Sequence, residues 1–187
     1  PHARTGRRDI DWDAGGWPDF SMYYPIFTAA PKAAIYGAMV PRDAARAVFE
    51  GGPADVFGEG AARYGLDEDL PPEQQATREA LQMQAHCNAL PEDMLPGMVA
   101  VQRLRDAVLA RAVVRAMGDT GGPVAVITGN GHARRDWGMP AMLARAAPDL
   151  DIWVLGQTEA DQPLEGVFDS VESAPAPDRP DPCAAFQ

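Results

Sequence analysis

The chain of 187 residues carries 16 basic and 27 acidic side chains, which gives a formal net charge of −11 at pH 7. Because so acidic a surface repels polyanions, the composition argues against a protein that binds nucleic acid or anionic lipid. A hydrophobic content of 46% with 23% charged residues is typical of a globular domain that is large enough for one core. No window of about 18 apolar residues is present, so the sequence predicts no membrane-spanning helix.

Two cysteines, Cys87 and Cys183, are far apart in the sequence. They fit neither a CxxC metal or redox pair nor a CxxCH attachment site, and no local pattern indicates whether they pair in an oxidising compartment. The chain begins with Pro1 and shows no charged-then-apolar leader, so we expect a processed, trimmed or truncated product.

The first predicted element is an aromatic helix that follows a flexible lead-in over residues 1–15. The helix is expected to open at Trp17-Pro18-Asp19, since proline suits a first turn and the aspartate complements the helix dipole. Aromatic residues then recur at spacings of three and four: Phe20, Tyr23, Tyr24 and Phe27. This stripe predicts either a core-facing surface or a tyrosine that faces a flat ligand.

Strands and helices are both predicted over the next eighty-odd residues. Lys32–Met39 predicts a strand, and Arg42–Phe49 predicts a helix that a Gly-Gly-Pro sequence ends. Residues 53–72 are rich in Gly, Asp, Glu and Pro, so they predict a loop with at most one short helical turn. Two longer helices are predicted at about 72–87 and about 94–117.

The last of these helices has a charged residue close to its apolar stripe. The stripe consists of Val101, Leu104, Val108 and Ala112. Arg105 lies on nearly the same face, and a buried charge needs a partner, for which Gln102 and Asp106 are candidates. Arg105 is therefore predicted either to reach the rim beside Asp106 or to face a ligand.

A continuous apolar run, Val124–Thr128, leads into the turn Gly129-Asn130-Gly131 and then His132. Such a run predicts a strand that is covered on both faces, as in a parallel sheet. Ligands collect beyond the carboxyl ends of such strands, which makes His132 a candidate functional residue. A helix at 138–146 and a strand at 151–155 are expected to follow.

The predicted fold class is mixed α/β, with a largely parallel sheet flanked by helices. Three segments are expected: the lead-in 1–15, one α/β domain over 16–172, and a proline-rich acidic tail over 173–187.

Several common catalytic motifs are absent from the sequence. The turn before His132 lacks the third glycine of a dinucleotide loop, no serine lies in a GxSxG setting, and HExxH, P-loop and EF-hand motifs are missing. Three histidines are a poor supply for an all-nitrogen zinc site.

Four segments nevertheless form an ordered set over residues 16–140. They are Gly16-Trp17-Pro18 through Tyr23 with Pro25-Ile26-Phe27; Gln84-Ala85-His86-Cys87 with Leu90-Pro91; Gln102 with Arg105-Asp106; and Gly129-Asn130-Gly131-His132 with Arg134, Asp136 and Gly138-Met139-Pro140. With this combination the chain resembles the ChaN-like haem-binding uptake family of the Tiki superfamily.

The resemblance implies a ChaN-like α/β fold and a role in bacterial iron acquisition, with haem (iron protoporphyrin) as the bound cofactor. It implies a location in the periplasm or cell envelope, often as a lipoprotein, with outer-membrane haem uptake machinery and a second copy of the chain as partners. Members of the family begin with a strand that ends in a glycine-glutamate-histidine type motif. This chain has no such motif, so its fold is expected to be incomplete at the N-terminus.

The resemblance also suggests which residues bind haem. Tyr23 matches the family's tyrosine and is the first candidate for an iron ligand, whereas the adjacent Tyr24 is expected to point elsewhere. His132 is expected to ligate iron directly or to hydrogen-bond the ligand, and Arg134 or Arg105 to pair with propionates. The remaining candidates are Asn130, Gly131, Gln102 and His86, and for His86 a structural role at the helix end is the competing interpretation.

Two other hypotheses stay open. The chain is alternatively a metal-dependent hydrolase of the Tiki/erythromycin-esterase type, in which His132 and acidic partners activate water. That hypothesis requires a second histidine and a glutamate from the missing strand. In the other alternative, the His132 turn only stabilises packing. Haem binding is favoured because arginine and aromatic side chains near the motifs suit a flat anionic ligand.

Overall fold

The computed structural model describes Trp12 and residues 19–184, and the chain divides into two units, Pro1–Gly37 and Ala38–Gln187. Trp17 and Pro18, where the aromatic helix is predicted to open, lie outside the described residues, as does the predicted lead-in apart from Trp12. The proposed boundaries 16–172 and 173–187 stay a prediction.

In the first unit, a 3₁₀ turn at Phe20–Met22 precedes the short helix α1, Tyr24–Ala29. Pro25 explains this division, because a proline within one continuous helix removes a hydrogen bond and clashes with the preceding turn. In the observed helix Pro25 stands at the N-terminus, where no hydrogen bond is lost. The predicted single helix from residue 17 is therefore wrong over the described residues.

Five helices are observed among the described residues of the second unit, 38–184. They are α2, Arg42–Phe57; α3, Pro72–Ala85; α4, Leu95–Thr120; α5, Asn130–Ala133; and α6, Met139–Ala146. Two 3₁₀ turns, Ala61–Tyr64 and Glu92–Met94, lie between them. Pro72 and Pro96 stand at helix N-termini, and Gly121 closes α4 with a φ of 74°, so the predicted helices at 72–87 and 94–117 are confirmed to within a few residues.

The helix α2 is longer than predicted. Gly52 interrupts it with a φ of 79° and a ψ of 169°, at the Gly-Gly-Pro sequence where the prediction ended it. The chain then resumes a helix with Pro53 in its first turn and continues to Phe57, because proline is well suited to start a helix. The prediction of a loop from residue 53 is wrong for this reason.

The long helix α4 is the centre of the hydrophobic core, and α2, α3 and α6 all pack against it. Its buried positions include Leu104, which is 1% exposed, and Ala107 and Ala110, which are fully buried. The residues that cover α4 from the other helices include Val48, Phe57, Met139, Met142 and Leu143. The core thus fixes α4 relative to the segment that carries His132.

A two-stranded parallel sheet follows the helices in the sequence. It consists of β1 (Leu155–Glu159) and β2 (Ser170–Ala174), and Leu155 pairs with Ser170. The mixed α/β class is confirmed. The strand predicted at 151–155 begins only at Leu155, and within residues 19–184 neither 32–39 nor 124–128 belongs to a ladder.

The run 124–128 is also not buried, since Val126 is 37% and Ile127 is 55% exposed. An apolar sequence predicts a strand inside a sheet whose faces are covered, but a sheet requires neighbouring strands to pair with, and the described part of the chain does not supply them on either side of this run.

A disulfide joins Cys87, which follows α3, to Cys183 near the C-terminus, with their Cα atoms 5.5 Å apart. None of the helices in the described part of the chain combines the length and the apolar character needed to span a bilayer.

Candidate functional site

His132 lies on α5, a single helical turn that follows Gly129. Gly129 accepts the first hydrogen bonds of this turn, from the backbone N–H groups of His132 (2.9 Å) and Ala133 (3.1 Å). The chain then reverses tightly into α6, where the N–H of Gly138 donates to the carbonyl of Arg134 at 3.0 Å. The predicted turn therefore presents His132 on a short helix that is followed closely by α6.

The imidazole of His132 is paired with a buried carboxylate. Its Nδ1 lies 2.7 Å from Oδ1 of Asp106, which is 2% exposed, whereas the His132 side chain keeps 22% of its surface exposed. Burial raises the pKa of the Asp106 carboxyl, and the nearby His132 and Arg78 offset part of that rise. A histidine that is held at one nitrogen and still reaches the surface is able to act on a ligand or a proton.

Two side chains, those of Asn130 and Arg135, hydrogen-bond the turn to β1 and to segments that flank the sheet. The amide of Asn130 bonds the backbone of Gln157 twice, as donor to its carbonyl at 2.6 Å and as acceptor from its N–H at 3.0 Å. Arg135 donates to the Ile152 carbonyl and, through Nε at 2.7 Å, to the carboxylate of Asp169. These contacts fix the position of α5 against β1 and its flanking segments.

Arg134 contacts two neighbours within the same turn, Asp136 and Trp137. Its guanidinium makes two hydrogen bonds to Asp136, at 2.7 and 2.6 Å, and lies 3.5 Å from the ring centroid of Trp137. Partial burial acts to raise the pKa of Asp136, but the hydrogen bonds and positive charge of Arg134, together with nearby backbone N–H groups, outweigh it and the pKa lies below its ordinary value. Arg134 is therefore already charge-paired, although it was predicted to face a propionate.

A second guanidinium, that of Arg78 on α3, also contacts Trp137, at 5.1 Å from the ring centroid. One of its NH₂ groups donates to Gln74 at 2.8 Å, but its Nε is buried and has no hydrogen-bond partner among the described residues. Desolvation by burial lowers the pKa of Arg78 to about 10. Its Nε–H group is therefore an unsatisfied buried donor, for which an anionic group would supply the acceptor.

The other predicted site residues are more dispersed. His86 holds the end of its own helix, with Nδ1 2.8 Å from the Gln82 carbonyl. Gln102 and Arg105 are half-buried on α4, and Gly131 is exposed on α5. Tyr23 belongs to the first unit, where its ring packs 4.8 Å from that of Trp12. For these residues a role in ligand binding stays a prediction.

Three residues of the site were not predicted: Asp106 was considered only as a partner of Arg105, and Arg78 and Trp137 were not considered. The signal for Asp106 is its spacing, because it is seven residues after Val99 and seven before Val113, both of which are buried. Seven residues are two helical turns, so Asp106 shares their face. No pattern local to α3 identifies Arg78, because its contacts to Trp137 are tertiary.

The described geometry thus combines a carboxylate-held histidine, a desolvated guanidinium and an indole ring. The histidine is suited to donate a ring nitrogen to a metal or to accept a proton. The guanidinium is suited to a carboxylate or another anion, and the indole to a flat or cationic group.

Comparison with known protein families gives a match. A family model described as haem-binding uptake, Tiki superfamily, ChaN, matches residues 3–143, which is more than half of the 187-residue chain. No curated protein and no solved structure matches the chain. The matched range contains Tyr23, Arg78, Asp106 and His132, whereas β1 and β2 follow it.

Proposed function

Since the chain belongs to the ChaN family of haem-binding uptake proteins in the Tiki superfamily, we propose that it binds haem at the His132 turn. The observation that carries the proposal is the pairing of His132 with the buried carboxylate of Asp106 at 2.7 Å. Histidine is a common protein ligand of haem iron, and one or two protein ligands suffice for a haem. A bound haem supplies an iron centre for this ligand and two propionates for nearby cations.

Arg78 is the cation that best fits a propionate. Its Nε is buried and has no partner among the residues that the structure describes, and its contact with Trp137 places it beside the histidine turn. A carboxylate would supply the missing acceptor and offset the cost of desolvation. Arg134 is less suited, because its Nε and one of its NH₂ groups already donate to Asp136. Tyr23, in the first unit, stays a predicted iron ligand.

The proposal includes a role in haem and iron uptake in the periplasm or cell envelope, with a lipid anchor. The disulfide between Cys87 and Cys183 supports an oxidising compartment, since disulfides are rare in the reducing cytosol. Outer-membrane haem uptake machinery and a second copy of the chain are the proposed partners, with the pair of chains enclosing the ligand.

Haemin titration of the purified protein is the direct test of binding. We expect a saturable shift of the Soret band, and we expect His132→Ala to weaken it at least about tenfold in Kd because an iron ligand is lost, which corresponds to about 1.4 kcal/mol. Tyr23→Phe is expected to change the Soret position, with Tyr24→Phe as the matched control, since Tyr24 is 46% exposed. No Soret shift at micromolar haemin would contradict the proposed function.

Substitution of Arg78 separates the propionate contact from iron ligation. Arg78→Met keeps most of the apolar stem but removes the guanidinium, so we expect about a tenfold loss of haem affinity and an unchanged Soret position, because about 1.5 kcal/mol is typical of a hydrogen bond to a charged group. Arg115→Met is the control, since that side chain is 76% exposed. Equal affinities of the two variants for haemin would argue that no propionate meets Arg78.

The Asp106–His132 pair also favours the hydrolase alternative, since a carboxylate-oriented histidine is an effective general base. Among the described residues, no group of three His, Cys, Asp or Glu side chains is arranged to hold a metal ion. Metal-dependent hydrolysis in ester and peptide panels that His132→Ala abolishes would establish this alternative.

A further inference from the structure

Asp106 occupies a position in the protein core that favours an apolar residue. It lies on the inner face of α4, next to the fully buried Ala107 and one turn before Ala110, and is itself 2% exposed. Burial of a carboxylate is costly unless hydrogen bonds and nearby cations compensate for the lost water. A carboxylate at such a position needs compensating partners, and the structure supplies them.

Two groups from different elements meet Asp106. Nδ1 of His132 on α5 lies 2.7 Å from Oδ1, and Arg78 on α3 provides a nearby positive charge. A separation of 2.7 Å between a ring nitrogen and a carboxyl oxygen requires one hydrogen between them. With that hydrogen on Nδ1, the carboxyl oxygen is the acceptor and its negative charge is stabilised by the cation.

The contact therefore occupies Nδ1 of His132. With the proton on Nδ1, the neutral ring has its lone pair on Nε2. Among the described residues no hydrogen bond to Nε2 is made, and the side chain keeps 22% of its surface exposed. Nε2 is thus the nitrogen that remains available to a ligand.

We propose that Asp106 is a positioning residue that holds His132 as the Nδ1–H tautomer and makes Nε2 the atom that ligates haem iron. This inference rests on the proposed haem-binding function. A carboxylate partner fixes the orientation of a ligating imidazole and makes it a stronger electron donor, and loss of such a partner typically costs about 10- to 100-fold in metal affinity. A stronger donor stabilises ferric over ferrous iron, so Asp106 is expected to lower the reduction potential of the bound haem.

The test compares Asp106→Asn with Asp119→Asn. Both variants remove one negative charge from α4, but Asp119 is 52% exposed and pairs with Arg115 on the helix surface. In Asp106→Asn we expect at least about tenfold weaker haemin binding, a higher reduction potential and a lower iron–histidine stretching frequency in resonance Raman spectra. In Asp119→Asn we expect all three to stay at the wild-type values. Unchanged potential and stretching frequency in Asp106→Asn would overturn the inference.

Long-range ¹H–¹⁵N NMR of the ligand-free protein provides an independent measurement. The expected spectrum shows a protonated Nδ1 and an unprotonated Nε2 for His132 in the wild type, and a loss of that preference in Asp106→Asn. A wild-type His132 with the proton on Nε2 would overturn the positioning role. If the tautomer is as expected but haemin does not bind, the proposed function fails while the control of the His132 tautomer by Asp106 stands.

Discussion

Replacing Gly138 with Ala is expected to destabilise the protein by about 3 kcal/mol, the upper part of the usual range for overpacking, and to displace the turn that carries His132. A Cβ atom at this position would lie 2.4 Å from the carbonyl oxygen of His132 and 2.7 Å from that of Arg134. Both atoms belong to the backbone, which cannot rotate away as the end of a flexible side chain can. The turn must open for the methyl group to fit.

Glycine is required at position 138 because there is no room for a side chain. Its φ of −76° and ψ of −162° are values that residues with a side chain also adopt, so backbone conformation alone does not demand glycine. The neighbouring Gly129 is the matched control, because its φ of −74° is similar and no atom lies within 4 Å of the position of its Cβ. Gly129→Ala is expected to change stability by no more than about 0.5 kcal/mol.

Urea unfolding followed by circular dichroism measures both variants, and haemin titration below the transition reports on the site. If the turn has opened, Gly138→Ala binds haemin more weakly even where it remains folded, since His132 and Asp106 no longer meet at 2.7 Å. Equal urea midpoints for the two alanine variants would show that the segment from Arg134 to Gly138 relaxes without cost.

The helices were predictable because their ends are marked in the sequence. Pro72, Pro96 and Gly121 act through local backbone chemistry, which a single sequence displays directly. The strands were not predictable, because an apolar run such as Val124–Thr128 has the same composition whether or not other parts of the chain cover it. The exposure of Ile127, at 55%, depends on contacts that the run itself does not encode.

The site was predicted in part for a similar reason. His132 follows from a local pattern, the apolar run and the glycine turn, whereas its partner is 26 residues earlier in the sequence. The predicted apolar stripe of Val101, Leu104 and Val108 indicated Arg105 as the charged residue close to the buried face. The observed inner face also includes Val99 and Val113, and on it the buried charge is Asp106. If the predicted buried face had been shifted by one residue along the helix, it would have included Asp106.

The disulfide between Cys87 and Cys183 is expected to contribute about 4 kcal/mol to stability, since closing a loop of about 100 residues removes about that much chain entropy from the unfolded state. The two cysteines are 96 residues apart in sequence and link the end of α3 to the C-terminal segment. Cys87 and Asn88 both have positive φ values, 60° and 56°, which disfavour residues with side chains. The disulfide helps to hold this turn in place.

We expect the double variant Cys87→Ser/Cys183→Ser to unfold at a lower urea concentration than the oxidised wild type, by an amount that matches about 4 kcal/mol. Wild-type protein treated with dithiothreitol should behave like the variant, and the variant itself should not respond to dithiothreitol. Two titratable thiols in unfolded, untreated wild-type protein would show instead that the cysteines are not joined.

The contribution of the disulfide to stability also tests the compartment in which the protein functions. A cytosol that keeps thiols reduced would leave the chain without this contribution, and a typical domain of this kind has only about 5–15 kcal/mol of total stability. Export to an oxidising compartment would restore it. Protein produced in a reducing cytoplasm is therefore expected to accumulate at a lower level than protein exported to the periplasm, and the serine variant is expected to lose that difference. Equal accumulation of the wild type in both compartments would leave the envelope proposal without the support of the disulfide.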